Sequence, residues 1–161
     1  MVILGIDPGL RFAGFGILAK DKQRAFLVDH GCLKLSPTQP LSVRVHQFYD
    51  FFSEKIKTYG VTDIALETPF LGKNAQNFLK LGYLRGIMYL LASQNNLTLH
   101  EFSPSQVKLS VTGFGGASKE QVARVMMRLF PAMGTPERDD VTDALAVTLC
   151  GLWKNKNSYL I

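Results

Sequence analysis

The chain has 161 residues, of which 47% are hydrophobic and 19% charged. That is enough for one domain with its own core, and it excludes a disordered chain. The net charge of +5 favours polyanionic partners without requiring one. No apolar run approaches the ~20 residues of a membrane span. Asp7 interrupts the N-terminal apolar stretch, so that stretch does not read as a signal peptide. Cys32 and Cys150 each sit in an apolar segment and read as two reduced thiols of a cytoplasmic protein.

Val2 to Ile6 is an apolar run that leads directly into Asp7, and Asp7-Pro8-Gly9 turns the chain. A run of this kind suits a strand buried on both faces. Phe12 to Leu18 reads as a returning strand and Arg24 to Leu35 as a third. Leu41, Val45, Phe48, Phe52 and Ile56 repeat at three to four residues and predict a helix over 41–58, stopped by Gly60. His46 falls on its solvated side. Val61 to Glu67 is a fourth strand, again ending in an acid. A loop over 68–74 is followed by a helix over 75–94, where Gly82 and Gly86 leave a flat patch. That patch suits close approach of the domain's own sheet or of a second subunit.

Leu97 to Phe102 is a fifth strand, and His100 on it reads as a satisfied sheet histidine. Ser103 to Gln106 and Ser118 to Gln121 are capping boxes that open two helices. Between them lies the glycine-rich segment 113–117. Thr135 and Pro136 have the cap and first-turn chemistry of a last helix, which runs to about Trp153. One domain is expected over 1–153, with a polar tail over 154–161. Three strands joined by short turns predict antiparallel pairing, and strands separated by helices predict parallel crossovers. The expected fold is α/β, a mixed five-stranded sheet with helices on both faces.

Acids end two of the core strands, Asp7 and Glu67. On the last helix Asp140 and Asp143 share a face at i, i+3. Asp7 alone is equally well read as a turn residue. Glu137 and Asp139 suit the positive end of the helix dipole. Asp143, expected two turns in at the edge of an apolar stretch, needs a partner. Two carboxylates about 6 Å apart at an effective dielectric of about 20 repel by roughly 3 kcal/mol. Divalent cations turn that repulsion into a site. Oxygen donors without a Cys or His cluster select Mg²⁺ or Mn²⁺ over zinc, and two such ions suit in-line phosphoryl transfer.

The motifs Gly5-Ile6-Asp7-Pro8-Gly9, Gly14-Phe15-Gly16, Ala65-Leu66-Glu67, Lys73-Asn74-Ala75, Leu81-Gly82-x-x-Arg85-Gly86, Gln106-Val107-Lys108 and Asp140-Val141-Thr142-Asp143-Ala144-Leu145-Ala146 follow one another in order. Together they resemble the RuvC Holliday-junction resolvases over nearly the whole chain. The resemblance implies a ribonuclease-H-like fold and a homodimer. It implies a Mg²⁺-dependent endodeoxyribonuclease that cuts four-way junctions by paired symmetric nicks. It also implies four metal-binding catalytic carboxylates, which by position are Asp7, Glu67, Asp140 and Asp143, with two ions per site and Mn²⁺ as a substitute. It favours Asp140 over the adjacent Asp139, and it suggests the branch-migration proteins RuvA and RuvB as partners.

The basic residues expected near the site are Lys73, Arg85, Lys108 and Lys119. Lys108 and Lys119 match backbone-binding positions of the family. Lys119, at a helix start after glycines, reads as part of a phosphate cradle. Phe70, three residues past Glu67, matches an aromatic that stacks on an unpaired base, an interaction worth ~1–3 kcal/mol. Phe70, Lys73, Lys108 and Lys119 are the expected DNA contacts. Two other readings stay open. One is a related nuclease acting on RNA or an RNA–DNA hybrid, and the other is a non-catalytic junction-binding module.

Overall fold

A computed structural model describes residues 1–22, 24–68 and 75–154, with Asn77 described by its backbone alone. The strands are β1 (Val2–Asp7), β2 (Phe12–Asp21), β3 (Arg24–Lys34), β4 (Asp63–Glu67) and β5 (Thr98–Phe102). The helices are α1 (Leu41–Tyr59), α2 (Ala75–Gln94), α3 (Pro104–Thr112), α4 (Lys119–Leu129) and α5 (Asp139–Lys154). One five-stranded sheet runs in the order β3-β2-β1-β4-β5. The β1–β2 and β2–β3 pairs are antiparallel, and the β1–β4 and β4–β5 pairs are parallel. This is the mixed sheet expected from connection length.

Strand alternation sorts the side chains onto two faces. Leu4, Ile6, Phe15, Ile17, Ile64 and Leu66 join one buried cluster with Phe48, Phe52 and Met88 of α1 and α2. Ile3, Leu18, Ala65 and Phe102 join another with Leu145, Leu149 and the helices α3 to α5. Residues 3, 5 and 7 of β1 therefore point toward α5, as do residues 65 and 67 of β4. Parity alone aims Asp7 and Glu67 at the helix that carries Asp140 and Asp143.

Most local signals act as expected. Gly60 ends α1 in the left-handed region at φ 58°. Both capping boxes form, with the Ser103 and Ser118 hydroxyls accepting from the Gln106 and Gln121 N–H groups. His100 is buried and bonds Asp63 at 2.9 Å. His46 is exposed beside Asp50. Cys32 and Cys150 are unpaired. Among the described residues no helix is long and apolar enough to cross a membrane.

The start of the last helix differs. Thr135 and Pro136 do not cap it. Pro131–Met133 makes a short 3-10 turn, Gly134 takes φ 62°, and α5 begins at Asp139. Glu137 thus precedes the helix, and Asp143 lies one turn in rather than two. Tertiary contacts override the cap signal: the Asp140 backbone docks on Gly14, and the Arg138 guanidinium lies 3.6 Å over the Phe12 ring.

That docking is close. A Cβ at Gly14 would lie 2.0 Å from the Asp140 carbonyl oxygen, and one at Gly5 would lie 2.6 Å from that of Ala144. Both neighbours are helix backbone and cannot step aside. Gly14→Ala is expected to push α5 off the sheet and destabilise the protein by about 1–3 kcal/mol, which lowers the melting temperature by several degrees. Thermal denaturation checks this, and an unchanged melting temperature would mean that the seat is not tight.

Candidate active site

Ile6 pairs with Leu66 in the parallel β1–β4 ladder, so Asp7 and Glu67 end neighbouring strands at the same level. α5 crosses that end of the sheet and supplies Asp140 and Asp143. The burial of Asp7 pushes its carboxyl up to about 7, and the negative charges of Asp143, Asp140 and Glu67 add to the effect. Burial likewise raises Glu67, helped by Asp143 and opposed by the positive charges of Lys119 and Lys108. Asp7 thus feels the other three acids, and Glu67 feels Asp143. Asp139 is exposed and takes no part in shifting Asp7.

Basic groups answer this charge. Lys119 donates to Asp143 at 2.7 Å, and the pairing raises the Lys119 pKa. The Arg138 Nε–H donates to Asp140 Oδ2 at 2.7 Å. Lys108 and Lys119 share a cleft with Glu67 and Asp143. The expected phosphate cradle is weaker than the sequence suggests. The capping box already uses the Ser118 and Gln121 N–H groups, and Lys119 is turned onto a carboxylate.

Arg85, expected among the basic residues beside the site, has another task. It is buried, and it donates to the Glu67 carbonyl, to the Glu101 carboxylate and to the Tyr89 hydroxyl. It holds the end of β4 in place and offers no charge to a ligand. Phe70 and Lys73 lie outside the described residues.

Sequence reasoning missed Arg138 and Phe12. A cation stacked on an aromatic face keeps one orientation, so the pair fixes the approach to Asp140. Periodicity placed Phe12 in a strand and gave no sign of its partner, because the stack joins residues 126 positions apart.

Among the described residues no three carboxylates or imidazoles converge tightly enough to form a ready-made cation cage. The donor chemistry nevertheless fits hard divalent ions. All four groups are carboxylates, and two are hard to ionise, first because they are partly buried and then because acids stand beside them. A cation between them removes that penalty.

A model of the crossover junction endodeoxyribonuclease RuvC family matches residues 3–151. The chain belongs to the RuvC family. The RuvC of Pelodictyon phaeoclathratiforme is 43% identical over 152 residues, covering 94% of this chain and 80% of the relative. A Thermus thermophilus RuvC, solved in complex with a Holliday junction substrate, superposes with a TM-score of 0.90 at 28% identity, over 98% of this chain and 96% of that one. The yeast mitochondrial Holliday junction resolvase shares the fold, with a TM-score of 0.73 at 14% identity over 98% of this chain and 80% of that one. The expected family and its ribonuclease-H-like fold therefore hold.

Within this family fold, the charge at Asp7 has a measurable consequence. Its folded-state pKa of about 7 lies above the ordinary value of 3.8, so ionisation opposes folding. The penalty is absent below about pH 4, grows as pH rises and is complete above about pH 7. A shift of that size corresponds to about 4 kcal/mol at most. In chelator, Asp7→Asn should stabilise the protein at pH 8 by about 1–4 kcal/mol and bring little gain near pH 4. Urea denaturation at both pH values reads this. An equal effect at the two would contradict the charge argument.

Proposed function

We propose that this chain is a structure-selective endodeoxyribonuclease that resolves four-way DNA junctions by paired nicks, leaving 5′-phosphate and 3′-hydroxyl ends. The observation that carries the reading is the register of β1 and β4, which sets Asp7 and Glu67 side by side beneath Asp140 and Asp143 in a chain of the RuvC family. The Holliday junction bound by the Thermus relative supports the choice of substrate.

Asp7, Glu67, Asp140 and Asp143 would hold two Mg²⁺ ions, with Mn²⁺ as a substitute. When bound, the ions supply Lewis-acid stabilisation of the attacking and leaving oxygens of an in-line displacement. The chain does the positioning. Strand ends fix Asp7 and Glu67, Arg85 clamps the Glu67 backbone, and Arg138 orients Asp140. Lys108 and Lys119, on the rim of the same cleft, neutralise the phosphate of the strand to be cut. The carry-over from the family adds Lys73 as a backbone contact and Phe70 as a stacking residue for an opened base.

Two nicks on opposed strands require two sites. On α2, Leu79, Tyr83, Gly86 and Leu90 form one stripe, with Leu79 60% and Tyr83 46% exposed. A Cβ at Gly82 or Gly86 would meet no described residue within 4 Å, so the described sheet does not fill the glycine patch. This face, continued by Leu41 and Val45 of α1, suits a second copy. Partnership with RuvA and RuvB rests on family membership alone.

The test is cleavage of a synthetic four-way junction in Mg²⁺, with a linear duplex and an RNA–DNA hybrid as controls. Wild type should cut the junction in preference to both. Asp7→Asn should bind the junction and cut it at least a hundredfold more slowly. Cutting by Asp7→Asn at the wild-type rate, or preferred cutting of the hybrid, would sink the assignment. For the dimer, Gly82→Glu should sediment as a monomer and lose paired nicking. A Gly82→Glu dimer as stable as wild type would place the interface elsewhere.

A further inference from the structure

A second surface, outside the acidic cleft, combines unpaired positive charge with a fixed exposed aromatic. We propose that the trough between the α3–α4 loop and the outer face of α4 holds the backbone of the duplex arm that leads away from the cut strand. Phe114, Gln121, Arg124 and Arg128 line it. The inference rests on the nuclease reading of the cleft, because the same substrate would fill both.

Charge selects the occupant. Arg124 and Arg128 lie at i, i+4 on one face of α4. No acid is among the residues that line the trough; Arg124 also borders the neighbouring pocket lined by Glu120, Asp139 and Asp143, whereas Arg128 belongs to the trough alone. Among the described residues neither arginine takes part in a hydrogen bond or ion pair within bonding distance. Glu120, one turn before Arg124, feels its charge from a fully solvated position outside the trough.

Phe114 is the second element. At 64% exposure it is the most exposed large apolar side chain among the described residues. It is also held. A Cβ at Gly116 would lie 2.7 Å from the ring, so the glycine leaves the space in which the ring sits. The Phe114 N–H donates to the Thr112 hydroxyl at 3.2 Å, and its carbonyl accepts from the Ala117 N–H at 3.1 Å. The glycine-rich segment that reads as a phosphate cradle thus serves to present an aromatic. An exposed ring beside two arginines offers apolar contact to the sugar edge of a backbone whose phosphates the arginines hold, and such contacts carry no base-sequence preference.

Continuity with the cleft sets the reach. α4 begins at Lys119, which points into the site, and Arg124 and Arg128 follow about 8 and 14 Å further along the helix axis. Fourteen ångströms is roughly four base pairs of duplex. The trough therefore lies along the arm, beyond the cut phosphate.

The experiment measures junction binding by the full-length protein in chelator over a range of salt concentrations, so that no catalysis enters. Arg124→Gln/Arg128→Gln should flatten the slope of log affinity against log salt by about two units. Arg124→Lys/Arg128→Lys should keep the slope. Phe114→Ala should weaken binding without changing the slope, because it removes no charge. Lys22→Gln/Lys57→Gln, which removes the same charge elsewhere, should leave it as in wild type. A wild-type slope for the Arg→Gln pair, or an equal flattening by the Lys22/Lys57 pair, overturns the proposal. Cleavage of the junction by wild type in Mg²⁺ is scored separately. Its failure would remove the nuclease reading, while the slopes still report whether the trough holds DNA.

Discussion

The close approach of α5 to the sheet is the constraint on which the site depends. The helix backbone comes so near β1 and β2 that only hydrogen fits at Gly5 and Gly14. With ordinary side chains there, α5 would ride higher and its acids would stand off from the strand ends. The glycines build nothing themselves. They remove spacing, and the removed spacing brings Asp140 and Asp143 within electrostatic range of Asp7. A tight packing contact in the core thus sets the geometry of a polar site at its edge.

Close approach brings a second consequence. Four carboxylates gathered at the mouth of a sheet repel, and burial of Asp7 sharpens the repulsion because the low-dielectric surroundings disfavour its charge. The chain meets this with cations fixed by unlike means. Arg138 is stacked on Phe12, Lys119 stands at the start of α4, and Arg85 is buried behind Glu67 on its backbone. Arg85 carries a charge yet serves the site through geometry, since it is buried and donates to Glu67, Glu101 and Tyr89. Position relative to the cleft separates a binding cation from a structural one, and sequence distance cannot.

The legible parts of the chain were those with a local cause. Strand runs, capping boxes, the Gly60 stop and the acids at strand ends follow from neighbouring residues, and all appear where expected. Thr135-Pro136 shows the limit. Its cap chemistry is sound, but the helix start is set by the fit of Asp140 against Gly14, which no local pattern encodes. Arg138 on Phe12 and Phe114 over Gly116 escaped for related reasons. The first joins distant residues, and the second turns a glycine that suggested backbone–phosphate contact into space for a ring.

The two faces of the sheet also differ in a way that assigns them different work. On one face Phe15 packs with Phe51 and Phe52, and these rings hold α1 at a distance. On the other face the alternate positions are Gly14 and Gly16, and α5 lies against the backbone. Strand alternation makes these properties inseparable: every large residue toward α1 and α2 is flanked by a small one toward α5. A one-residue slip of β1 or β2 would exchange the faces, turning Asp7 in among the phenylalanines and a ring into the seat of α5. Both errors are severe, so the register that packs the core is also the register that builds the site. The thick aromatic face carries α1 and α2 and their exposed apolar stripe, and the thin face carries α5 and its acids.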